Sequence, residues 1–183
     1  MNIADNIKKY LKEIGDRDCK LVAISKTKPV DIIRSAYDSG QRIFGENKVQ
    51  ELADKYPQLP TDIEWHMVGH LQSNKVKYIA PFVHLIHSVD SKRLTDEINK
   101  RAGNLEKIQN VLLEVNTSGE ESKFGLRNEN EITELAEYCT NLSNVNLIGL
   151  MTMAPWTENE YIIRNSFASL RNIFVKLNGA SFN

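Results

Sequence analysis

A lysine at the end of an apolar run is the residue in this sequence best placed for covalent chemistry. Lys26 follows Leu21-Val22-Ala23-Ile24-Ser25, and the two-residue period of a strand puts it on the face of Val22 and Ile24. If that face is enclosed, desolvation lowers the lysine pKa, and a neutral amine attacks an aldehyde to form a Schiff base. If it is open, the side chain reaches to water, as expected for Lys28, and most lysines do so. His66 sits between Trp65 and Met67, where a hydrogen-bonded core histidine is the first expectation and a catalyst the second. Glu46 and Asn47 follow Gly45 and read as turn and cap residues. Gln72-Ser73-Asn74-Lys75 reads as a helix N-cap before a ligand contact, and Met151 and Met153 as core filler. His70, His84 and His87 form no HExxH or Cys/His pattern, so no metal is expected.

The elements that must position these residues alternate between two textures. Short apolar runs stand at 21–25, 42–46, 64–69, 85–90, 110–116 and 146–153, and read as six strands. Segments with helical period lie before and between them. Ile3, Ile7, Leu11 and Ile14 make one stripe on a leading helix. Ile32, Ile33, Ala36 and Tyr37 make a second, with Gly40 as its stop. Leu94, Ile98 and Ala102 make a third, with Asp96–Lys100 and Glu97–Arg101 as surface pairs. Asn128 with Glu131, and Thr157 with Glu160, read as capping boxes opening the last two helices.

Strand–helix alternation implies a parallel sheet with helices outside. A (β/α)8 barrel needs ~200–250 residues. At 183 residues, length alone favours a doubly wound open sheet. The turn after the first strand, Ser25-Lys26-Thr27-Lys28-Pro29, is not glycine-rich, which argues against a dinucleotide site. In either architecture functional groups gather at the carboxyl ends of the strands.

Composition narrows the partners. Twenty-three Lys plus Arg against twenty-four Asp plus Glu give a net charge of −1, so no nucleic-acid partner is expected. No run approaches the ~18 apolar residues of a membrane span, and the N-terminus is not a secretory signal. No membrane partner is therefore expected, and a cytoplasmic location is. Cys19 and Cys139 are too few and too far apart for a disulfide framework.

Taken together and in order, the strand ends are specific. SKTKP (25–29), FGENKVQE (44–51), EWHMVGHLQSNK (64–75), NTSGEESKFG (116–125) and GLMTMAP (149–155) resemble the YggS/PROSC family of pyridoxal 5′-phosphate homeostasis proteins over nearly the whole chain. The resemblance implies a TIM (β/α)8-type barrel of the alanine racemase N-terminal kind, against the length argument, as one domain over 1–183. It implies pyridoxal 5′-phosphate held as a Schiff base on Lys26, with Asn47, His66 and Met151 around the cofactor. It also implies a monomer that buffers or delivers the cofactor, with apo forms of cofactor-dependent enzymes as recipients and no catalytic residue. Family members continue into two more strands with a Ser-Met-Gly-Met-Ser and an Arg-x-Gly motif. Neither is present, so about six of eight strands are expected here, with the phosphate grip beyond residue 183.

Two other functions compete. A racemase-like enzyme would use Lys26 on one face of a substrate, but needs an acid/base on the other, and none stands out. A non-catalytic interaction module would use an exposed sheet edge.

Overall fold

The computed structural model describes residues 2–179. Met1 and residues 180–183, the ends of the domain expected over 1–183, lie outside the described residues. The six apolar runs become six strands: β1 (Ala23–Ile24), β2 (Ile43–Glu46), β3 (Glu64–Met67), β4 (Val83–Val89), β5 (Gln109–Glu114) and β6 (Val145–Met151). Between and around them run α1 (Ile3–Ile14), α2 (Val30–Asp38), α3 (Val49–Lys55), α4 (Val76–Ile79), α5 (Lys92–Gly103), α6 (Glu129–Thr140) and α7 (Glu160–Gly179). None of the described helices is long and apolar enough to cross a membrane.

All neighbouring strands are parallel, and their order in the sheet is the order in the chain, β1 through β6. That order decides between the two architectures. A doubly wound sheet reverses direction at a switch point so that helices cover both faces. Here each right-handed crossover moves one strand the same way, so every helix falls on one face. The expectation of an open doubly wound sheet from length is corrected. The arrangement is a six-strand arc of a (β/α) barrel, with β1 and β6 as its edges.

The two faces of the arc differ in chemistry. Phe44, Trp65, Met67, Ile86, Val111 and Leu113 point outward and pack with Ile33, Leu52, Ile79, Ile98 and Ile132 from the helices. Trp65 and Leu52 are fully buried in this layer. The alternate positions form the inner face. A side chain at Gly45 would meet Ile24, Val68 and Val22 at 2.8, 3.2 and 3.3 Å, which places those residues together on that face.

Helix ends follow the expected chemistry in part. Gly40 stops α2 at φ 101, its N–H donating to Tyr37 O at 2.9 Å. Asn128 caps α6 by accepting from the Glu131 N–H at 2.9 Å. Two expected caps are corrected. Thr157 accepts from the Asn159 N–H, and Asn159 in turn caps α7 by accepting from the Tyr161 N–H at 3.0 Å. Gln72–Lys75 makes a single 3-10 turn, Ser73–Lys75, with no side-chain cap, before the one-turn α4. On α5 the Glu97–Arg101 pair forms at 2.6 Å, whereas Asp96 accepts from the Tyr138 hydroxyl of α6 instead.

At the carboxyl ends of β2 and β3 the chains approach so closely that only glycine fits. A Cβ at Gly69 would lie 2.4 Å from Asn47 O and 2.8 Å from Asn47 Cα. Gly69→Ala must push the two strand ends apart. It is expected to cost ~1–3 kcal/mol, the usual range for forced overpacking, read as a drop in the urea midpoint at unchanged slope.

Candidate functional site

The carboxyl end of the arc is where the expected site residues are anchored. Lys26 lies in the turn after β1 and is exposed. Its neighbours are not. Ser25 is buried, donates its hydroxyl to Glu46 Oε1 at 2.8 Å, and donates its N–H to Gly45 O at 2.9 Å. Thr27 donates its N–H to Glu51 Oε1 at 2.6 Å. Lys55, at the end of α3, donates to Ser25 O at 2.8 Å, Glu46 Oε1 at 2.7 Å and Glu51 Oε1 at 2.6 Å.

Lys55 and Glu46 are 6% and 0% exposed, so this is a buried ion network rather than a surface pair. It grips the turn on both sides of Lys26. Lys55 beside Glu51 holds that carboxyl below its ordinary range, through the hydrogen bond first. Thr27 sits at φ 63, a region that β-branched residues rarely occupy. Such strain persists only where the surroundings over-determine it, and it gathers at functional sites. The expectation that Glu46 is a turn and cap residue is corrected, because it is the buried acceptor of this network.

Asn47 follows β2 on the adjacent strand end and is half-buried, its backbone packed against Gly69. The structure therefore brings Lys26 and Asn47 to neighbouring ends. Met151 ends β6, the opposite edge of the arc, paired in register with Glu114. His66 lies within β3, in register with Gly45, which is in register with Ile24. It therefore sits below the level of Lys26, and Val68 is the next inward position towards the strand end. His66 Nδ1 and His87 Nε2 are 2.9 Å apart. Burial, with His87, His84 and Lys20 nearby, pushes His66 down to about 3, and burial alone pushes His87 down to about 4. Both rings are neutral at physiological pH.

The middle of the mouth carries titratable groups that the sequence did not single out together. His70 Nδ1 lies 3.9 Å from Asp90 Oδ2, and its ring stacks on Phe124 with centroids 3.9 Å apart. Glu114, at the end of β5, is 6% exposed, and its Oε2 has no hydrogen-bond partner among the described residues. Alternation along β5 marks it as inward-facing, between β4 and β6.

Comparisons with known proteins agree with this architecture. The sequence model of the alanine racemase N-terminal domain family matches residues 1–182. A protein of Aquifex aeolicus named pyridoxal phosphate homeostasis protein is 44% identical over 183 residues, covering 94% of this chain and 80% of that protein. The structure of PipY from Synechococcus elongatus with pyridoxal phosphate bound superposes with a TM-score of 0.87 at 32% identity, covering 97% of this chain and 82% of PipY. An alanine racemase from Streptomyces lavendulae superposes at 0.81 with 13% identity, covering 99% of this chain and 48% of the racemase, a likeness of fold alone.

Two expectations follow from the buried charges. Lys55→Met leaves the fully buried Glu46 without its cation. The loss should be ~3–5 kcal/mol of folding stability, and adding Glu46→Gln should restore much of it, measured by denaturant unfolding of both variants. Glu114 is pushed up to about 7 from 4.5, by burial first and by the Asp90 charge second. Between those values the folded chain binds a proton that the unfolded chain has released, so stability falls as pH rises through the window. Glu114→Gln should remove that slope, which amounts to on the order of 3 kcal/mol, when unfolding midpoints are compared across the window.

Proposed function

The chain belongs to the alanine racemase N-terminal domain family, and from that membership we propose that it binds pyridoxal 5′-phosphate on Lys26 and serves cofactor homeostasis, holding and delivering the cofactor. The Aquifex aeolicus relative carries that homeostasis name, and the PipY structure holds the cofactor. The role is that of a binding protein rather than a turnover enzyme.

The observation that carries the reading is the turn around Lys26. Lys26 and Lys55 both stand at the end of β1, and their surroundings separate their roles. The Lys55 amine is used by three acceptors inside the buried network. The Lys26 amine stands exposed on a turn whose backbone is fixed at Ser25 and Thr27. A fixed backbone under an accessible amine limits the backbone freedom that must be lost when a ligand is held, which is preorganisation. When bound, the cofactor supplies an aldehyde carbon, and Lys26 would hold it through a Schiff-base linkage. Asn47 would contact it from the neighbouring strand end, and Met151 from the far edge of the arc. His66, one inward position below Val68, would contribute from beneath.

A racemase would need proton carriers on opposite faces of its substrate. Lys26 supplies one such group, and the 44% identical relative is named for homeostasis rather than racemisation, which favours holding. Apo forms of cofactor-dependent enzymes are the recipients this role calls for.

Borohydride reduction after incubation with pyridoxal phosphate tests the assignment. A single phosphopyridoxyl adduct on Lys26 is expected by peptide mass, absent in Lys26→Ala with no replacement site. Labels scattered over surface lysines in both proteins would overturn it.

A further inference from the structure

The inner face of the arc carries a second cluster, away from the mouth. Glu64 and His66 are two residues apart on β3 and share a face, and His84 faces them from β4. One ligand atom of each lies within 4.8 Å of those of the other two. His84 Nε2 is 3.7 Å from Glu64 Oε2, and the His84 and His66 rings stack with centroids 5.8 Å apart.

His66 supplies the independent observation. It is 6% exposed, and its Nδ1 is engaged by His87 Nε2 at 2.9 Å. Its other nitrogen, Nε2, is buried with no hydrogen-bond partner among the described residues. A buried imidazole nitrogen left unpaired is costly and calls for an explanation. Where His66 Nδ1–H donates to His87, Nε2 presents a bare lone pair. A ligand that accepts that lone pair resolves the orphan, and a metal ion does so.

We propose that Glu64, His66 and His84 form a divalent transition-metal site on the inner wall of the sheet, suited to Zn2+. Two imidazoles and one carboxylate are a known three-ligand zinc set, which leaves a fourth position open. The absence of thiolate in the set disfavours soft monovalent copper, and two nitrogen donors disfavour Mg2+ and Ca2+. His87 acts as the outer partner that fixes the His66 tautomer and ring. Tetrahedral bonds of ~2.0–2.1 Å place ligand atoms roughly 3.3 Å apart. The cluster closes to that spacing by turning Glu64 and His84, whose side chains are 39% and 48% exposed. The single-sequence pattern hides the set because its members come from two strands.

The site shares His66 with the cofactor reading, but its other two ligands lie apart from the lysine turn. Glu64 opens β3 and His84 stands near the start of β4, at the opposite end of the strands from Lys26. Zn2+ titration of the 183-residue chain against a chromophoric chelator tests it, without pyridoxal phosphate, which binds metals itself. One equivalent is expected to bind. His84→Ala and Glu64→Gln, at solvent-reachable positions, should each weaken binding at least ~10-fold with circular dichroism unchanged, and His87→Ala should weaken it ~10-fold. Cys19→Ser, which removes the exposed thiol, should bind as the parent does. Cobalt loading of the parent should give the visible bands of a low-coordinate site, lost in His84→Ala. Binding unaffected by His84→Ala and Glu64→Gln, binding lost with Cys19→Ser, or no bound equivalent would each overturn the proposal.

Discussion

A buried ion network at the junction of β1, β2 and α3 sets where everything at the mouth can stand. Glu46 is fully buried, and a lone buried carboxylate is intolerable unless paired and hydrogen-bonded. Lys55 supplies the charge, and the Ser25 hydroxyl supplies a hydrogen bond to the same oxygen. Because Lys55 also takes Ser25 O and Glu51, and Glu51 takes the Thr27 N–H, the bonds to Glu46 Oε1 form together only if the turn between Ser25 and Thr27 adopts one shape, while Glu46 Oε2 has no partner among the described residues. Satisfying the charge and fixing Lys26 are therefore the same event. An apolar replacement of the pair could fold equally well, but it would not dictate the turn.

The strand order carries that local constraint into an architecture. Sequential parallel pairing puts the helices on one face, so the outer face becomes the core and the inner face is released from it. Trp65 and Met67 of β3 illustrate the division, since both are wholly buried while His66 between them points the other way. Polar and ionisable groups such as Glu64, His66, Glu114 and Asn146 collect on the inner side. There some of them meet each other, as Asn146 does with Asn110 at 2.9 Å.

Periodicity made the elements legible, because each needs one buried face. The stripe from Ile3 to Ile14 and the six apolar runs reappear as α1 and β1–β6, since burial of those residues is what forms the elements. Boundaries and caps were less legible. Thr157 and Asn159 are both good cap residues two positions apart, and only the approach of the chain to α7 selects Asn159. Length misled about architecture because it counts residues and not the direction of crossovers, and the ordered motifs were needed to override it. At the site, Lys26 could be placed on the Val22 and Ile24 face by alternation, yet the grip on its turn depended on Lys55. That residue lies far along the sequence on α3, and nothing in its local pattern marks it as buried.

The inner face also explains why two chemistries can coexist on six strands. Along β3 the inward positions run Glu64, His66, Val68, and Val68 meets Ile24 and Val22 over the space that Gly45 leaves empty. An apolar collar thus stands between the histidines and the turn that bears Lys26. His66 Nε2 is unpartnered among the described residues, and burial, with His87, His84 and Lys20 nearby, keeps the ring neutral. The lysine whose charge reaches His66 is Lys20, before β1, and not Lys26 after it. A group at the Lys26 end and one held by Glu64 and His84 would be linked through His66, since the side chains of the collar offer no hydrogen bond. Alternation along β3, with Gly45 beside it, thus sets ionisable groups at one end of the wall and apolar ones between them and the lysine turn.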